Sequence, residues 1–189
     1  MRTDIMVDIE SLGKNDDSTI FQISAISFNI ETGEHIDTFN RIANIGIGDI
    51  NVEGSTLLWW VKNNSELFKE LLLSGEFTTK DLLIDFQGWL RKIQLKSNKK
   101  DVYLWGNGIL FDNRIIKSQL ESMGRSYPIF YRNDRDVRTI LELASIKSGL
   151  TEEELKDKYF DSELTSHNAL NDVINQINLV TACYNIIME

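Results

Sequence analysis

Two carboxylates stand one residue apart near the start of the chain, within a short apolar run that begins at Ile5. In a β-strand, alternate side chains point to the same face, so Asp8 and Glu10 would project together. Like charges held side by side repel each other, and a cation between them removes the repulsion. Carboxylate oxygens are ligands that suit Mg²⁺ or Mn²⁺. The pair predicts a metal site, although acidic pairs also arise without function in a chain with 29 Asp and Glu residues.

A third carboxylate, Asp112, follows a glycine-containing segment at residues 106–111. This segment superficially matches a dinucleotide-binding glycine loop, but Phe111 stands at the third glycine position and no βαβ unit precedes it. Asp112 lies near the predicted start of a helix, where an aspartate more often serves as a cap than as a catalyst. Taken alone, it fits the capping role.

Near the C-terminus, His167 precedes Asp172 by five residues. Within one regular helix, their side chains would point about 140° apart. We therefore predict that His167 lies on a loop or first turn and that Asp172 lies inside the helix, so that both reach one site. The alternative for a lone histidine is a surface or capping role.

Aromatic and basic residues offer contacts for a nucleic acid. Trp59 and Trp60 are adjacent, so their side chains point about 100° apart in a helix. One is expected in the core, and the other is available as a stacking platform for a base. Arg135 and Arg138, on one face of a predicted helix, suit a phosphate, while surface ion pairs with neighbouring acidic residues explain them equally well.

The hydrophobic pattern predicts the elements that position these groups. A first strand carrying Asp8 is followed by strands at 20–28 and 35–42, joined by short turns into an antiparallel meander. A fourth strand is predicted at 102–105, and residues 126–131, which include Pro128, are predicted as an edge or final strand. Helices are predicted to be capped by Ser55, Thr79 and the Thr151–Glu154 pair, and others begin near Ser65, Asp112 and Asp134. The last helix is predicted to follow the segment 166–172 and to run through Ile174, Ile177, Val180 and Tyr184.

The whole chain has the composition of a globular protein, with 189 residues of which 42% are hydrophobic. We predict one domain over residues 1–189. No apolar run reaches the roughly 20 residues that span a bilayer, and the beginning lacks the pattern of a signal peptide. A single cysteine, Cys183, fits a reducing compartment, so a cytoplasmic location is predicted.

The net charge of −9 is unevenly distributed. Residues 91–147 hold 12 of the 20 basic residues and only 6 of the 29 acidic ones. A protein that grips a long duplex by its phosphates is therefore not expected. A compact enzyme with an acidic site and one basic flank is compatible with this distribution.

In this order, Asp8, Glu10, Asp112, His167 and Asp172 resemble the motifs of the DEDDh exonucleases, a branch of the ribonuclease-H-like superfamily. The resemblance covers nearly the whole chain. Residues 58–60 and 135–139 are similar to the subgroup of phage exonuclease A and bacterial exoribonuclease-like proteins. The resemblance to the DEDDh exonucleases implies an α/β ribonuclease-H-like fold. Its central sheet is mixed, with three antiparallel first strands, and is flanked by helices.

The resemblance also implies a metal-dependent 3′→5′ exonuclease that releases nucleoside 5′-monophosphates from single-stranded or overhanging 3′ ends, using two Mg²⁺ or Mn²⁺ ions. By similarity, Asp8 would bridge both ions, Glu10 and Asp172 would help to bind the first, and Asp112 would support the second. His167 would be the general base, since an imidazole accepts protons near neutral pH.

For the nucleic-acid partner we expect contacts from Trp60, Asn107 and Arg138, with no membrane partner, and dimers are frequent among proteins of this kind. RNA and DNA both remain open. The alternatives are a non-catalytic ribonuclease-H-like binding module and a hydrolase of small nucleotides or dinucleotides.

Overall fold

A computed structural model describes residues 2–189, apart from the side chain of Lys99. Its strands are β1 (Thr3–Ser11), β2 (Ile20–Phe28), β3 (His35–Ile42), β4 (Val102–Gly106) and β5 (Asp134–Asp136). Its helices are α1 (Gly54–Asn63), α2 (Ser65–Ser74), α3 (Thr79–Lys96), α4 (Asp112–Ser122), α5 (Val137–Ser148), α6 (Glu152–Tyr159) and α7 (Ala169–Met188), with a 3₁₀ turn at Lys99–Asp101.

The five strands form one mixed sheet in the order β3-β2-β1-β4-β5. The first three are an antiparallel meander, whereas β4 and β5 run parallel to β1. Met6 lies beside Trp105, and Gly106 lies beside Asp136, so the three parallel strands end at the same side of the sheet. The predicted α/β fold with a mixed sheet is confirmed.

Alternation along β1 sends its side chains into two different cores. Ile5, Val7 and Ile9 pack towards α3 and α4, while Met6 packs towards α5 and α7. Asp8 and Glu10 continue the face of Met6, because side chains two residues apart share a face. The carboxylates therefore lie on the α7 side of the sheet, at the end of β1.

The prediction of a strand at residues 126–131 is wrong. The carbonyl oxygens of Ser126 and Pro128 accept hydrogen bonds of 2.6 and 2.7 Å from the side chains of Gln87 and Gln94 on α3. These side-chain donors take the place of a strand partner. The fifth strand is instead Asp134–Asp136, which pairs with β4.

This shift also separates two arginines that the sequence placed on one helix face. Arg135 lies in β5, and Arg138 lies in the first turn of α5. The prediction of a shared face is therefore wrong, because the chain is extended up to Asp136 and becomes helical only at Val137. The side chain of Asp136 caps this helix by accepting from the Arg138 N–H at 2.9 Å.

Helix starts are close to the predicted ones. Glu53, not Ser55, precedes α1, and Ser55 donates to its carboxylate at 2.7 Å. Thr78, not Thr79, caps α3. The capping box of Thr151 and Glu154 is confirmed. In the part of the chain that the structure describes, no helix has both the length and the apolar content needed to cross a bilayer.

Candidate active site

Strand β1 and helix α7 bring three carboxylates together. One ligand oxygen from each of Asp8, Glu10 and Asp172 lies within 4.8 Å of the other two. Helix α7 is capped by Asn168, whose side chain accepts from the Leu170 N–H at 3.1 Å. Asp172 is in the first turn of this helix, where the helix dipole favours a negative charge. The local cap thus fixes the turn that carries Asp172 to β1.

Asp112 joins this group from α4. Its side chain is 4% exposed, and its Oδ1 accepts a hydrogen bond of 3.2 Å from the backbone N–H of Ile9. The residue at the cap position is Phe111, so Asp112 does not act as the helix cap that its position alone suggested. Asp112 and the three other carboxylates border one cavity of about 400 Å³.

Burial and mutual repulsion make these four groups hard to ionise together. Burial raises the pKa of Asp8 well above its ordinary value, and the charges of Asp112 and Asp172 raise it further. The pKa of Glu10 is raised well above its ordinary value by burial and then by the other three carboxylates. Burial raises the pKa of Asp112 to about 7 and also raises that of Asp172.

Nothing basic in the described residues neutralises this cluster by direct contact: no lysine or arginine forms an ion pair with any of the four. The donor set consists of carboxylate oxygens, which are the ligands that Mg²⁺ and Mn²⁺ prefer. A cation bound among them would relieve both the repulsion and the raised pKa values. These residues therefore fit a divalent metal ion.

His167 stands at the rim of the same cavity, on the turn before α7. Its φ of 64° is left-handed, a conformation in which histidine is found more often than most residues. Its backbone N–H donates to Asp172 Oδ2 at 3.0 Å, and its exposed imidazole packs edge-on against the Trp59 ring with 4.8 Å between centroids. His167 is on a turn and Asp172 inside the helix, as predicted.

The two tryptophans have opposite environments. Trp60 is 2% exposed and stacks on Phe68 with 5.1 Å between ring centroids, whereas Trp59 is 39% exposed. Trp60 is therefore the core member of the pair, because Phe68 covers a face of its ring, and Trp59 is the member whose ring is open to solvent. Both tryptophans border a second cavity of about 370 Å³ next to Glu10.

Two polar residues link the carboxylates to a third cavity, of about 510 Å³. Asn107 is exposed and borders both cavities. Arg138 lies across Gly108, where an added Cβ would be 3.2 Å from the guanidinium. Its positive charge is near enough to oppose the rise in the pKa of Asp112.

Sequence analysis missed Gln176. This side chain is 4% exposed, and its Nε2 donates to Asp8 Oδ1 at 2.9 Å. Its Oε1 is buried and has no hydrogen-bond partner among the described residues. The available signal was its spacing: Gln176 follows Asp172 by four residues, which places both on one face of α7.

The mixed sheet with its acidic end and flanking helices has the fold of the DEDDh exonucleases. A family model described as the 3'-5' exoribonuclease Rv2179c-like domain matches residues 3–184. The chain belongs to this family of 3′→5′ exonucleases. No curated protein gives a significant match to the chain.

Solved structures share the fold at low sequence identity. Cell-death related nuclease 4 is 16% identical with a TM-score of 0.70, and the match covers 97% of this chain and 64% of that one. The nuclease domain of 3'hExo bound to rAMP is 14% identical with a TM-score of 0.66, covering 97% and 92%. The E. coli ExoI–ssDNA complex is 14% identical with a TM-score of 0.59, covering 94% and 38%. The chain thus spans less than two thirds of cell-death related nuclease 4.

Proposed function

We propose that this protein is a metal-dependent 3′→5′ exonuclease that removes nucleoside 5′-monophosphates from the 3′ ends of single-stranded or overhanging nucleic acid. The observation that carries the proposal is the convergence of Asp8, Glu10, Asp112 and Asp172 on one cavity without a basic partner. The family description favours RNA as the polymer. Among the structural neighbours, a 3'-exonuclease recognises a histone mRNA stem-loop and E. coli ExoI is in complex with ssDNA, which supports a nucleic-acid 3′ end as the substrate.

We assign the four carboxylates to two Mg²⁺ or Mn²⁺ ions. When bound, such ions stabilise negative charge on the scissile phosphate and make a bound water more acidic. Asp8 stands centrally for this task, because its neighbours Asp112 and Asp172 approach it from two different helices. Metal ions also explain how an acidic site accommodates a polyanion, since no lysine or arginine among the described residues forms an ion pair with the four carboxylates.

His167 is our general base. Its imidazole accepts a proton from the attacking water as the new P–O bond forms, and the bond from phosphorus to the 3′ oxygen breaks. The 3′ oxygen leaves with a proton taken from solvent. The place of His167 on an exposed turn allows its imidazole ring to move between Trp59 and the cavity.

Three further residues are proposed substrate contacts. Trp59 replaces Trp60 as the stacking surface for a terminal base, because it is the exposed member of the pair. Asn107 and Arg138 border the cavity next to the carboxylates and would contact the sugar and phosphate of the preceding nucleotide. The proposal further includes one exonuclease domain over residues 1–189 and a cytoplasmic location, and a homodimer is left to a measurement of mass in solution.

The test offers 5′-labelled single-stranded RNA and DNA to the protein in Mn²⁺ or in EDTA. We expect a ladder that shortens from the 3′ end only with metal, and the faster ladder identifies the polymer. Asp8→Ala should abolish the ladder, while Asp157→Ala, which removes an exposed carboxylate on α6, should leave it unchanged.

Intact strands in Mn²⁺ would contradict the exonuclease proposal. Cleavage of dinucleotides alone would then favour a small-nucleotide hydrolase, and an absence of Mn²⁺ binding by calorimetry would favour a non-catalytic module. Substantial activity of purified Asp8→Ala would contradict the metal assignment.

A further inference from the structure

Basic and aromatic side chains cluster at the end of the sheet opposite to the carboxylates. We call the edge patch the group formed by Lys100, Tyr103, Phe130, Tyr131, Arg132 and Arg135. It surrounds the beginnings of β4 and β5, and β5 is the edge of the sheet. Val102, at the start of β4 and two residues after Lys100, lies level with Thr3, five residues before Asp8, which corresponds to about 16 Å along the strand. Arg135 lies level with Met6 and is the patch residue nearest to the level of Asp8.

The side chains of the patch pair cations with aromatic rings. The Arg135 guanidinium lies 4.6 Å from the centroid of Tyr103, and the Lys100 ammonium lies 5.8 Å from that of Phe130. Arg132 lies 5.5 Å from the ring centroid of Tyr131, and the rings of Phe130 and Tyr131 are 4.6 Å apart. A cation over a ring holds both groups in place while leaving other N–H groups open to solvent.

Tyr131 is the most exposed ring of this patch, at 76%. An exposed aromatic ring held beside an arginine is the arrangement on which unpaired bases stack, because every base offers a flat apolar face. The Tyr131 ring is not buried, so packing within the protein does not account for an aromatic residue at this position. A ligand with flat faces and negative charges would satisfy both the ring and the cations.

Three acidic residues of the same region, Asp4, Asp134 and Asp136, have their carboxylates engaged by other groups of the protein. Asp134 accepts hydrogen bonds of 2.7 Å from Asn113 and 2.8 Å from Tyr127. Asp136 accepts from two backbone N–H groups at the start of α5. Asp4 is 2% exposed and is paired with Arg2, so Arg2 is omitted from the patch.

We propose that the edge patch is a second binding site for single-stranded RNA, which holds the upstream part of a strand whose 3′ end lies among the carboxylates. This inference rests on the proposed function. Arg135 in β5 and Arg138 in the first turn of α5 lie on the stretch of chain that leads from the patch to the third cavity, which Arg138 borders. Arg138 is the end of this path that borders the cavity, and its charge acts on Asp112. The patch and Arg138 contain four of the 12 basic residues of segment 91–147.

Binding is measured separately from cleavage. A 5′-fluorescein 12-mer RNA is titrated with Asp8→Ala protein and with the same protein carrying Tyr131→Ala and Arg132→Glu, by fluorescence anisotropy. We expect the Kd to rise by about tenfold, since stacking and phosphate contacts are lost together, and the salt dependence of binding to weaken. Lys100→Glu alone should raise the Kd by a smaller factor.

The matched control is Lys69→Glu, which reverses one exposed charge on α2, beside the other edge of the sheet. Its Kd should remain that of the parent, and circular dichroism should show the same fold for every variant. An equal Kd for patch and parent proteins, or an equal loss in the Lys69→Glu control, would overturn the proposal.

A second measurement uses the intact Asp8 and two RNA lengths. The patch variants should raise KM for the 12-mer while leaving cleavage of a 3-mer unchanged, because the short strand does not reach the patch. A parallel loss on both lengths would contradict the second site. If the 12-mer binds through the patch but no RNA is cleaved, the second site stands and the exonuclease proposal fails.

Discussion

The single hydrogen bond from Gln176 to Asp8 is the feature of the site most open to a direct test. Asp8 lies among the other carboxylates, and Gln176 donates to it from within the buried face of α7. Gln176 is a positioning residue in this interpretation, because it acts through Asp8. Partners of metal ligands typically change metal affinity about 10–100-fold when they are removed.

We therefore expect Gln176→Leu to weaken Mn²⁺ binding by about tenfold or more in calorimetry. Leucine has a similar size but cannot donate the hydrogen bond that orients Asp8. The kcat of this variant should fall at saturating RNA while KM for RNA changes little. The control is Gln119→Leu on α4, which loses a hydrogen bond of 2.8 Å to the Ser18 carbonyl away from the carboxylates. Unchanged Mn²⁺ affinity in Gln176→Leu would reject the positioning role.

For single residues, the spacing of charged side chains made the carboxylate pair of the site predictable. Asp8 and Glu10 could be paired from their spacing alone, since a strand repeats every two residues. The choice between Trp59 and Trp60 could not be made, because a 100° difference in direction does not say which direction is the core. Gln176 was not identified, because a neutral amide on an apolar helix carries no charge pattern, and its spacing of four residues from Asp172 was the one signal available.

Among the elements, the long ones were predictable and the shortest one was not. Strands β1 to β3 each have eight or nine residues, which is enough to display alternation. Strand β5 has three residues, all polar or charged, and so displays no hydrophobic period. The final strand was instead predicted at the apolar residues 126–131. In the structure, carbonyl groups of this segment accept hydrogen bonds from glutamines of α3.

The connection from β4 to α4 supports a prediction on backbone conformation. Gly108 has a φ of +113°, which side chains rarely tolerate, and an added Cβ would lie 3.2 Å from two atoms of the Arg138 guanidinium. Gly108→Ala should lower the free energy of unfolding by about 1–3 kcal/mol and displace Arg138. We expect a lower Tm and a higher KM for RNA.

Gly88→Ala is the matched control for that substitution. Gly88 lies inside α3, and an added Cβ there has no atom within 4 Å. Alanine should therefore stabilise the protein by about 0.5–1 kcal/mol, because it costs less conformational entropy in a helix. Thermal unfolding distinguishes the two glycines, and an unchanged Tm for Gly108→Ala would contradict the strain at that position.

For the whole molecule, the sheet order is what turns distant sequence positions into one site. Asp8, Asp112 and Asp172 come from different thirds of the chain and meet because β1 is central and lies between α4 and α7. Their order along the chain, compared with a known family, predicted this meeting. Hydrophobic periodicity would not have done so, because it says nothing about which elements become neighbours.

The same meeting links stability to pH and to metal ions. Burial raises the pKa of Asp112 from an ordinary 3.8 to about 7 in the folded protein. Between these two values the folded state binds more protons than the unfolded state, so the free energy of unfolding falls as pH rises. Above about pH 7 this contribution no longer changes, because the group is ionised in both states. The raised pKa values of the other three carboxylates act in the same direction.

In EDTA, Asp112→Asn should therefore be more stable than the natural protein at pH 8, because it removes one buried charge from the cluster. The difference should shrink as the pH is lowered towards 4, where both proteins carry a neutral group at this position. Asp157→Asn, at an exposed carboxylate, should show no such trend. Added Mn²⁺ should reverse the order at pH 8, because the ion stabilises the natural protein by binding to its folded state alone. Urea unfolding at pH 5, 6, 7 and 8 measures both effects, and a pH-independent difference would mean that burial of the ionised Asp112 does not limit the stability of this fold.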